Sequence, residues 1–155
     1  MIDLNYRETI LEIDARQVYR MFANLSLKNQ TKAHREALKK GSSILVTAAR
    51  RNLRKEFGTT ATKKASKTGK SLQSGIRYWV GKQGNFAKVH IMGDYRLKWF
   101  EKGTDSRKTK NKGINRGRIS GRYFFKEAKS QTETKVFQTI TDYFKKAIIK
   151  LAQNE

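Results

Sequence analysis

Asp94 and Glu101 are the only acidic residues between positions 57 and 104. Two carboxylates near lysines are the raw material of magnesium-dependent phosphodiester cleavage, because the metal needs oxygen ligands. Spacing alone does not bring these two together, and Glu101-Lys102 lacks the Glu-x-Lys arrangement of one nuclease class. The plainer expectation is that Asp94 caps a turn and Glu101 pairs with an arginine or lysine. Lys67-Thr68-Gly69-Lys70-Ser71 ends like a phosphate-binding loop. The pattern needs glycine at position 64, where this chain has lysine, and a helix afterwards, where a strand is predicted. His34 stands between basic residues and His90 in an alternating stretch, so both read as solvated or half-buried side chains without ligand or base duty. Ser71, Ser74 and Ser120 have no triad partners. Cysteine is absent, which removes disulfides, thiolate metal sites and thiol nucleophiles together. With two histidines a multi-histidine metal site is also excluded. No catalytic, cofactor or metal residue is therefore expected. Trp79, Tyr95 and Trp99 have flat faces on which bases stack, but aromatics in strands more often pack in cores or across subunit interfaces.

The other chemical resource is charge. The 155 residues carry 35 Lys+Arg against 13 Asp+Glu, a formal net charge of +22. Residues 28–122 hold 26 basic and five acidic residues, so nearly all the excess is regional. A surface tuned only for solubility intersperses both signs. A concentrated excess implies a polyanion, an acidic protein surface, or both. The densest part, residues 102–122, holds eight basic residues, one acidic residue and four glycines. It has too little apolar surface to order itself and reads as a mobile loop, or as an arm that orders on assembly.

The elements around that loop are legible from periodicity. Residues 1–30 read as an extension with a short helix over 14–25, capped by Asp14. Ser26 to Thr31 reads as a break. Residues 31–57 predict a long helix, with Ala37, Leu38, Leu45, Ala48, Ala49, Leu53 and Phe57 on one stripe and Gly41 on it as a close-packing position. Gly58 is the predicted stop. The polar, basic run from 58 to 71 reads as a loop. Residues 72–104 predict antiparallel strands. Leu72 to Val80 and Ala87 to Met92 alternate around a turn at 81–85. Gly93-Asp94 is a break, and Tyr95 to Glu101 fits a strand or a helical turn. Residues 105–122 are the basic arm. Residues 123–153 predict a long helix with a 3.6-residue apolar period from Phe125 to Leu151. The expected class is α+β in a single domain: a long N-terminal helix, a small antiparallel sheet with an extended basic loop, and a long C-terminal helix. No apolar run reaches the roughly 18 residues a membrane span needs, and no short apolar stretch suggests a secretory signal.

Three landmarks in order resemble a known family. Thr68-Gly69-Lys70-Ser71-Leu72-Gln73-Ser74-Gly75-Ile76 opens the predicted sheet, and Trp99-Phe100-Glu101-Lys102-Gly103-Thr104 closes it. Tyr123-Phe124-Phe125-Lys126-Glu127-Ala128 begins the last helix. Together they are similar to the small neck proteins of tailed bacteriophages, the head–tail joining or tail-completion family. The likeness covers residues 31–152. The chain departs from the family pattern in one extra residue between Thr-Gly and Leu, in Tyr123-Phe124 where Pro-Phe is usual, and in the basicity of 105–122.

The resemblance implies a structural virion protein with no catalysis and no cofactor. It implies a ring, commonly of six copies and in other cases twelve, at the head–tail junction through which the genome passes. Partners would be further copies of the chain, portal-side adaptor or connector proteins, the tail tube or tail terminator, and genomic DNA in the lumen, with no membrane. The location would be the virion neck or tail, and the host cytoplasm during assembly. Arg107, Lys108, Lys110, Lys112, Arg116, Arg118 and Arg122 would meet a neighbouring subunit or partner. Thr68, Gly69, Trp99, Glu101, Gly103, Thr104 and Phe125 would hold the structure. The competing expectation from charge alone is a basic nucleic-acid-binding protein of ribosomal or nucleoid type.

Overall fold

Apolar residues recurring every three to four positions make two long helices that must bury their stripes against each other. In the computed structural model, which describes residues 10–14, 26–63, 71–109 and 113–152, helix α1 spans Leu27–Phe57 and the last helix spans Phe124–Ala152. Between them lie a short helix α2 (Thr59–Lys63), a 3₁₀ turn (Leu72–Gly75), strands β2 (Arg77–Val80) and β3 (Phe86–His90), and helix α3 (Arg96–Lys102). The last helix is α4. Strand β1 (Ile10–Asp14) completes the sheet.

The α1–α4 seam is the main core. Leu38, Leu45, Ala49 and Leu53 of α1 are fully buried, as are Phe125, Ala128 and Val136 of α4. Gly41 sets the closest approach. A β-carbon there would lie 2.6 Å from Ile140 Cγ1, so only glycine lets the two backbones come this near. α1 ends as expected at Gly58, whose φ of 80° suits glycine and whose N–H returns to the Arg54 carbonyl at 2.8 Å.

The sheet covers a second face of α1. It is antiparallel with order β1-β3-β2, Ile10 facing His90 on one side and Arg77 facing His90 on the other. Ala87, Val89 and Ile91 alternate inward and are buried. The α+β class follows directly.

Several boundaries differ from the sequence reading. Of the helix predicted over 14–25, only Asp14 lies within the described residues, where it ends β1. Pairing with β3, some 76 positions along the chain, decides this, and a local period cannot reveal it. α1 begins at Leu27, before the predicted start, so the expected break at 26–31 is mostly helix. Residues 59–63 of the expected loop are also helical. The first predicted strand shrinks to Arg77–Val80, because residues 72–75 wind into the 3₁₀ turn. That turn is held from outside: the Arg50 guanidinium donates to the Gln73 and Ile76 carbonyls at 3.1 and 2.9 Å. Tyr95 to Glu101 is resolved in favour of helix, so the predicted strands do not continue to 104. Leu97 and Glu101, one turn apart, are both buried while Trp99 between them is 38% exposed, whereas a strand's alternation would put all three on one face.

His34 is fully buried and meets the Phe144 ring edge-on at 4.8 Å, which corrects the expectation of a solvated or half-buried side chain. Burial pushes its pKa below the usual histidine value, opposed by a backbone hydrogen bond with Gly84. His90 is half-buried, and its Nδ1 accepts from the Met92 N–H at 3.1 Å.

Candidate assembly interface

The two later sequence landmarks meet at one point. α3 ends at Gly103, whose φ of 84° closes the helix while its N–H bonds the Trp99 carbonyl at 2.7 Å. The chain leaves, makes a long excursion, and returns beside its own exit. On return the Arg122 N–H donates to the Phe100 carbonyl at 2.9 Å, and the Tyr123 N–H to the Glu101 carbonyl at 3.0 Å. The Glu101 side chain, 2% exposed, then takes hold of α4. One carboxylate oxygen accepts from the Phe125 N–H at 2.8 Å and the other from the Lys126 N–H at 2.9 Å. The structure gives this carboxylate the amides of a helix start, which have no intrahelical acceptors. A carboxylate there also meets the positive end of the helix dipole. This is a cap delivered from 24 residues away.

The residues around the cap are fixed by its geometry. Phe124 and Phe125 are fully buried, and the Phe124 carbonyl accepts from Asn52 Nδ2 at 3.3 Å. Tyr123 takes a left-handed φ of 49°, which costs a non-glycine residue roughly 1 kcal/mol or more. The hydrogen bonds of the cap and of the returning chain offset that strain. Phe100 packs on Phe57 with ring centroids 4.5 Å apart, tying α3 to the end of α1.

Residues 103–109 and 113–120 form a two-stranded antiparallel ribbon that grows out of this junction. Gly103 bridges Ser120 at the base, and Lys108 bridges Asn115 further out. Thr104 N–H donates to the Ile119 carbonyl at 2.9 Å, and Ile119 N–H to Thr104 Oγ1 at 3.0 Å. The Thr104 side chain thus reaches across the ribbon. The base has no room for side chains: a β-carbon on Gly103 would sit 2.7 Å from the Ile119 carbonyl oxygen, and one on Gly121 2.7 Å from the Lys102 carbonyl carbon. Near the tip, Thr109 N–H donates to the Ile114 carbonyl and Ile114 N–H to Thr109 Oγ1, both at 2.9 Å. Asn115 Oδ1 accepts from Gly117 N–H at 2.8 Å and from Ser106 Oγ at 3.1 Å. The described part of the ribbon therefore has its own hydrogen-bond ladder, where the sequence suggests a loop unable to order alone.

Neutral groups and backbone make every one of these bonds. Arg107, Lys108, Arg116 and Arg118 remain exposed. Other cations are committed internally: Arg50 and Arg54 to the 3₁₀ turn, Arg77 to the Ser74 carbonyl, Arg96 to Asp94. Arg122, at the root, lies 3.9 Å from Glu56 in a partly exposed pair. Lys110, Lys112, Thr68 and Gly69 lie outside the described residues. Trp99 is partly exposed and stacks edge-on with Tyr95 at 5.1 Å, so these rings form a small aromatic surface beside the ribbon's root, not part of the core.

The chemical alternatives lose their geometry. Asp94 is gripped by Arg96, with contacts at 2.9 and 2.6 Å, which hold its carboxyl below the usual range, while Glu101 faces α4. The two carboxylates serve different partners, and among the described residues no three acidic or histidine side chains gather as for a metal. Ser71 leads into a 3₁₀ turn and a strand, not the helix a nucleotide loop requires. Among the described residues no helix is long and apolar enough to cross a membrane.

Sequence reasoning missed the Glu101 clamp and the roles of Asn52 and Gly121. Its one available signal was position: Glu101 falls one helical turn after Leu97, where an inward carboxylate needs donors to be tolerated. In comparisons with protein-family models, curated proteins and solved structures, the chain matches none of them.

Proposed function

We propose that this chain is a structural protein of a tailed-phage virion that forms an oligomeric ring at the head–tail junction, through which the genome passes. The observation that carries the reading is the junction at Glu101. Two of the three landmarks behind the family resemblance, 99–104 and 123–128, are a single hydrogen-bonded unit. That unit serves to project the segment between them. A small subunit with a lean core gains stability by burying further surface in a closed ring, and an arm anchored at its root can reach a neighbour. The ring would contain further copies of this chain and contact portal-side connector proteins and the tail tube or terminator. The protein would act by attachment, with no bond made or broken.

The test is localisation in particles. An epitope-labelled copy should decorate the collar of virions, and genomes lacking the gene should yield heads and tails that fail to join. Particles that assemble normally without the protein would overturn the reading, as would magnesium-dependent plasmid cleavage by pure protein that Glu101→Gln abolishes. A second reading, a ribosomal- or nucleoid-type nucleic-acid binder, draws on the exposed ribbon cations. It expects the protein to fractionate with ribosomes or bulk DNA in cells, not with particles.

A further inference from the structure

We propose that the ribbon strands of residues 103–109 and 113–120 bind the phosphate backbone of duplex DNA. The inference deepens the neck reading and rests on it for where the duplex is met; the binding chemistry itself stands on the ribbon.

The first argument is the repulsion built into the ribbon. The Arg116 N–H donates to the Arg107 carbonyl at 2.6 Å, which sets these two residues opposite each other across the strands. Lys108 bridges Asn115 one step further out. Like charges facing each other across paired strands are destabilising. Both arginines are exposed, and the single acidic residue of the segment is Asp105. A polyanion laid along the ribbon converts that repulsion into attraction, and the release of its condensed counterions adds to affinity.

The second argument is what the ribbon lacks. Protein interfaces rest on a few large anchors, chiefly Trp, Tyr and Arg set in desolvated pockets. Between its cations this ribbon carries Ser106, Thr109, Asn115 and Gly117, with one exposed aliphatic residue, Ile114. These small polar residues are engaged in the ladder itself. Apart from its arginines, the described part of the ribbon has no large side chain to fill a protein pocket, whereas guanidinium and ammonium groups are the usual donors to phosphate oxygens.

The third argument is shape. A two-stranded β-ribbon is among the few elements that fit the roughly 12 Å major groove of B-form DNA. Cations stand on both strands here, Arg107 and Lys108 on the outgoing one and Arg116 and Arg118 on the returning one. That lets the ribbon contact phosphates on both sides of a groove. The Glu101 clamp keeps its root in a fixed direction, which limits the entropy lost on binding. No base-reading pattern is evident, so binding is expected to be independent of sequence.

The experiment is fluorescence anisotropy of a labelled 20-base-pair duplex with the purified full chain, from 50 to 200 mM NaCl. The test variant is Arg107→Gln/Lys108→Gln/Arg116→Gln/Arg118→Gln. A second variant, Lys40→Gln/Arg51→Gln/Lys55→Gln/Lys82→Gln, removes equal charge from exposed positions elsewhere. Wild-type protein should bind with steep salt dependence. If each ribbon cation neutralises one phosphate, the test variant's slope of log affinity against log salt should be shallower by about 3 to 4. Its affinity at 100 mM salt should fall at least tenfold, and the second variant should stay within about threefold of wild type. Equal losses in both variants, no binding by wild type, or polyglutamate displacing the duplex at equal charge concentration would overturn the proposal, the last in favour of an acidic protein surface. Sedimentation of the same samples separates the two ideas. Rings that do not bind duplex sink this inference alone, and duplex binding by a protein absent from virions sinks the neck reading alone.

Discussion

The α1–α4 seam and the ribbon are built on opposite principles. The seam is apolar and close-packed, with Gly41 against Ile140 and fully buried Leu45, Leu53, Phe125 and Val136. The ribbon has almost no apolar surface and is held by backbone bonds, side-chain acceptors and positive-φ glycines at 103, 113 and 117. Burial stabilises the first by about 25 cal/mol per Å² of apolar surface removed from water. The second gains only about 0.5–1.5 kcal/mol net from each hydrogen bond and is weakened by its own charge. That a region contributes so little to folding while carrying so much like charge is what supports the proposal that it meets a partner. Glu101 is where the two regimes meet. It sits in the core, yet its acceptors fix the point from which the ribbon departs.

The largest effect should come from the seam. Phe125→Ala removes a fully buried ring and should cost about 3–5 kcal/mol in urea unfolding. A loss below about 1 kcal/mol would mean that the start of α4 is not core. Glu101→Gln comes next. It keeps the shape but replaces two charge-assisted bonds by at most one neutral acceptor and introduces donors where N–H groups already point. We expect about 2 kcal/mol of destabilisation and faster amide exchange at Phe125 and Lys126. Unchanged exchange at those two amides would remove the clamp and with it the comparison.

Acidification should weaken the seam and sheet side more than the ribbon. His34 and His90 both have folded-state pKa values below the ordinary histidine value of 6.5, chiefly through burial, and for His90 also through Arg77. The unfolded chain then takes up protons first as pH falls. The stability due to the neutral rings is complete above about pH 6.5 and is lost as pH drops below it. The urea midpoint should therefore fall between pH 7.5 and 5.5, with a smaller drop in His34→Asn. An identical drop in that variant would place the sensitivity elsewhere. The smallest effect belongs to the ribbon. Neutralising Arg107, Lys108, Arg116 and Arg118 should move unfolding by no more than about 0.5 kcal/mol, in the stabilising direction, since surface changes are usually that small and like-charge repulsion is relieved. A loss above about 2 kcal/mol would show that the ribbon is part of the fold after all.

Both long helices were readable because their apolar stripes carry a local 3.6-residue period, and the β2–β3 hairpin because its turn residues are punctuated by glycine. The charge and glycine content of the basic segment were readable from composition. Its ladder was not, because Thr104, Thr109 and Asn115 show their bonds only when the two strands lie side by side. α3 was ambiguous because seven residues hold too few turns to separate a helical period from alternation, and the exposure of Trp99 between buried Leu97 and Glu101 resolved it. β1 was invisible because a strand's partner at an edge so far along the chain leaves no local trace. His34 was misplaced because its charged neighbours on the helix face outward while it faces Phe144.

The chain alone fixed the charge of the arm, the glycines at its root, the lack of thiols, and the two stripes that force the long helices together. These follow from residue type and from periods a few residues long. That Glu101 caps a helix 24 residues away, that Arg107 and Arg116 face each other, and that Arg50 is spent on a turn while Arg107 is left to water were settled by the tertiary structure. Each depends on which backbone groups end up without partners once distant segments pack, and such groups carry no mark in the sequence.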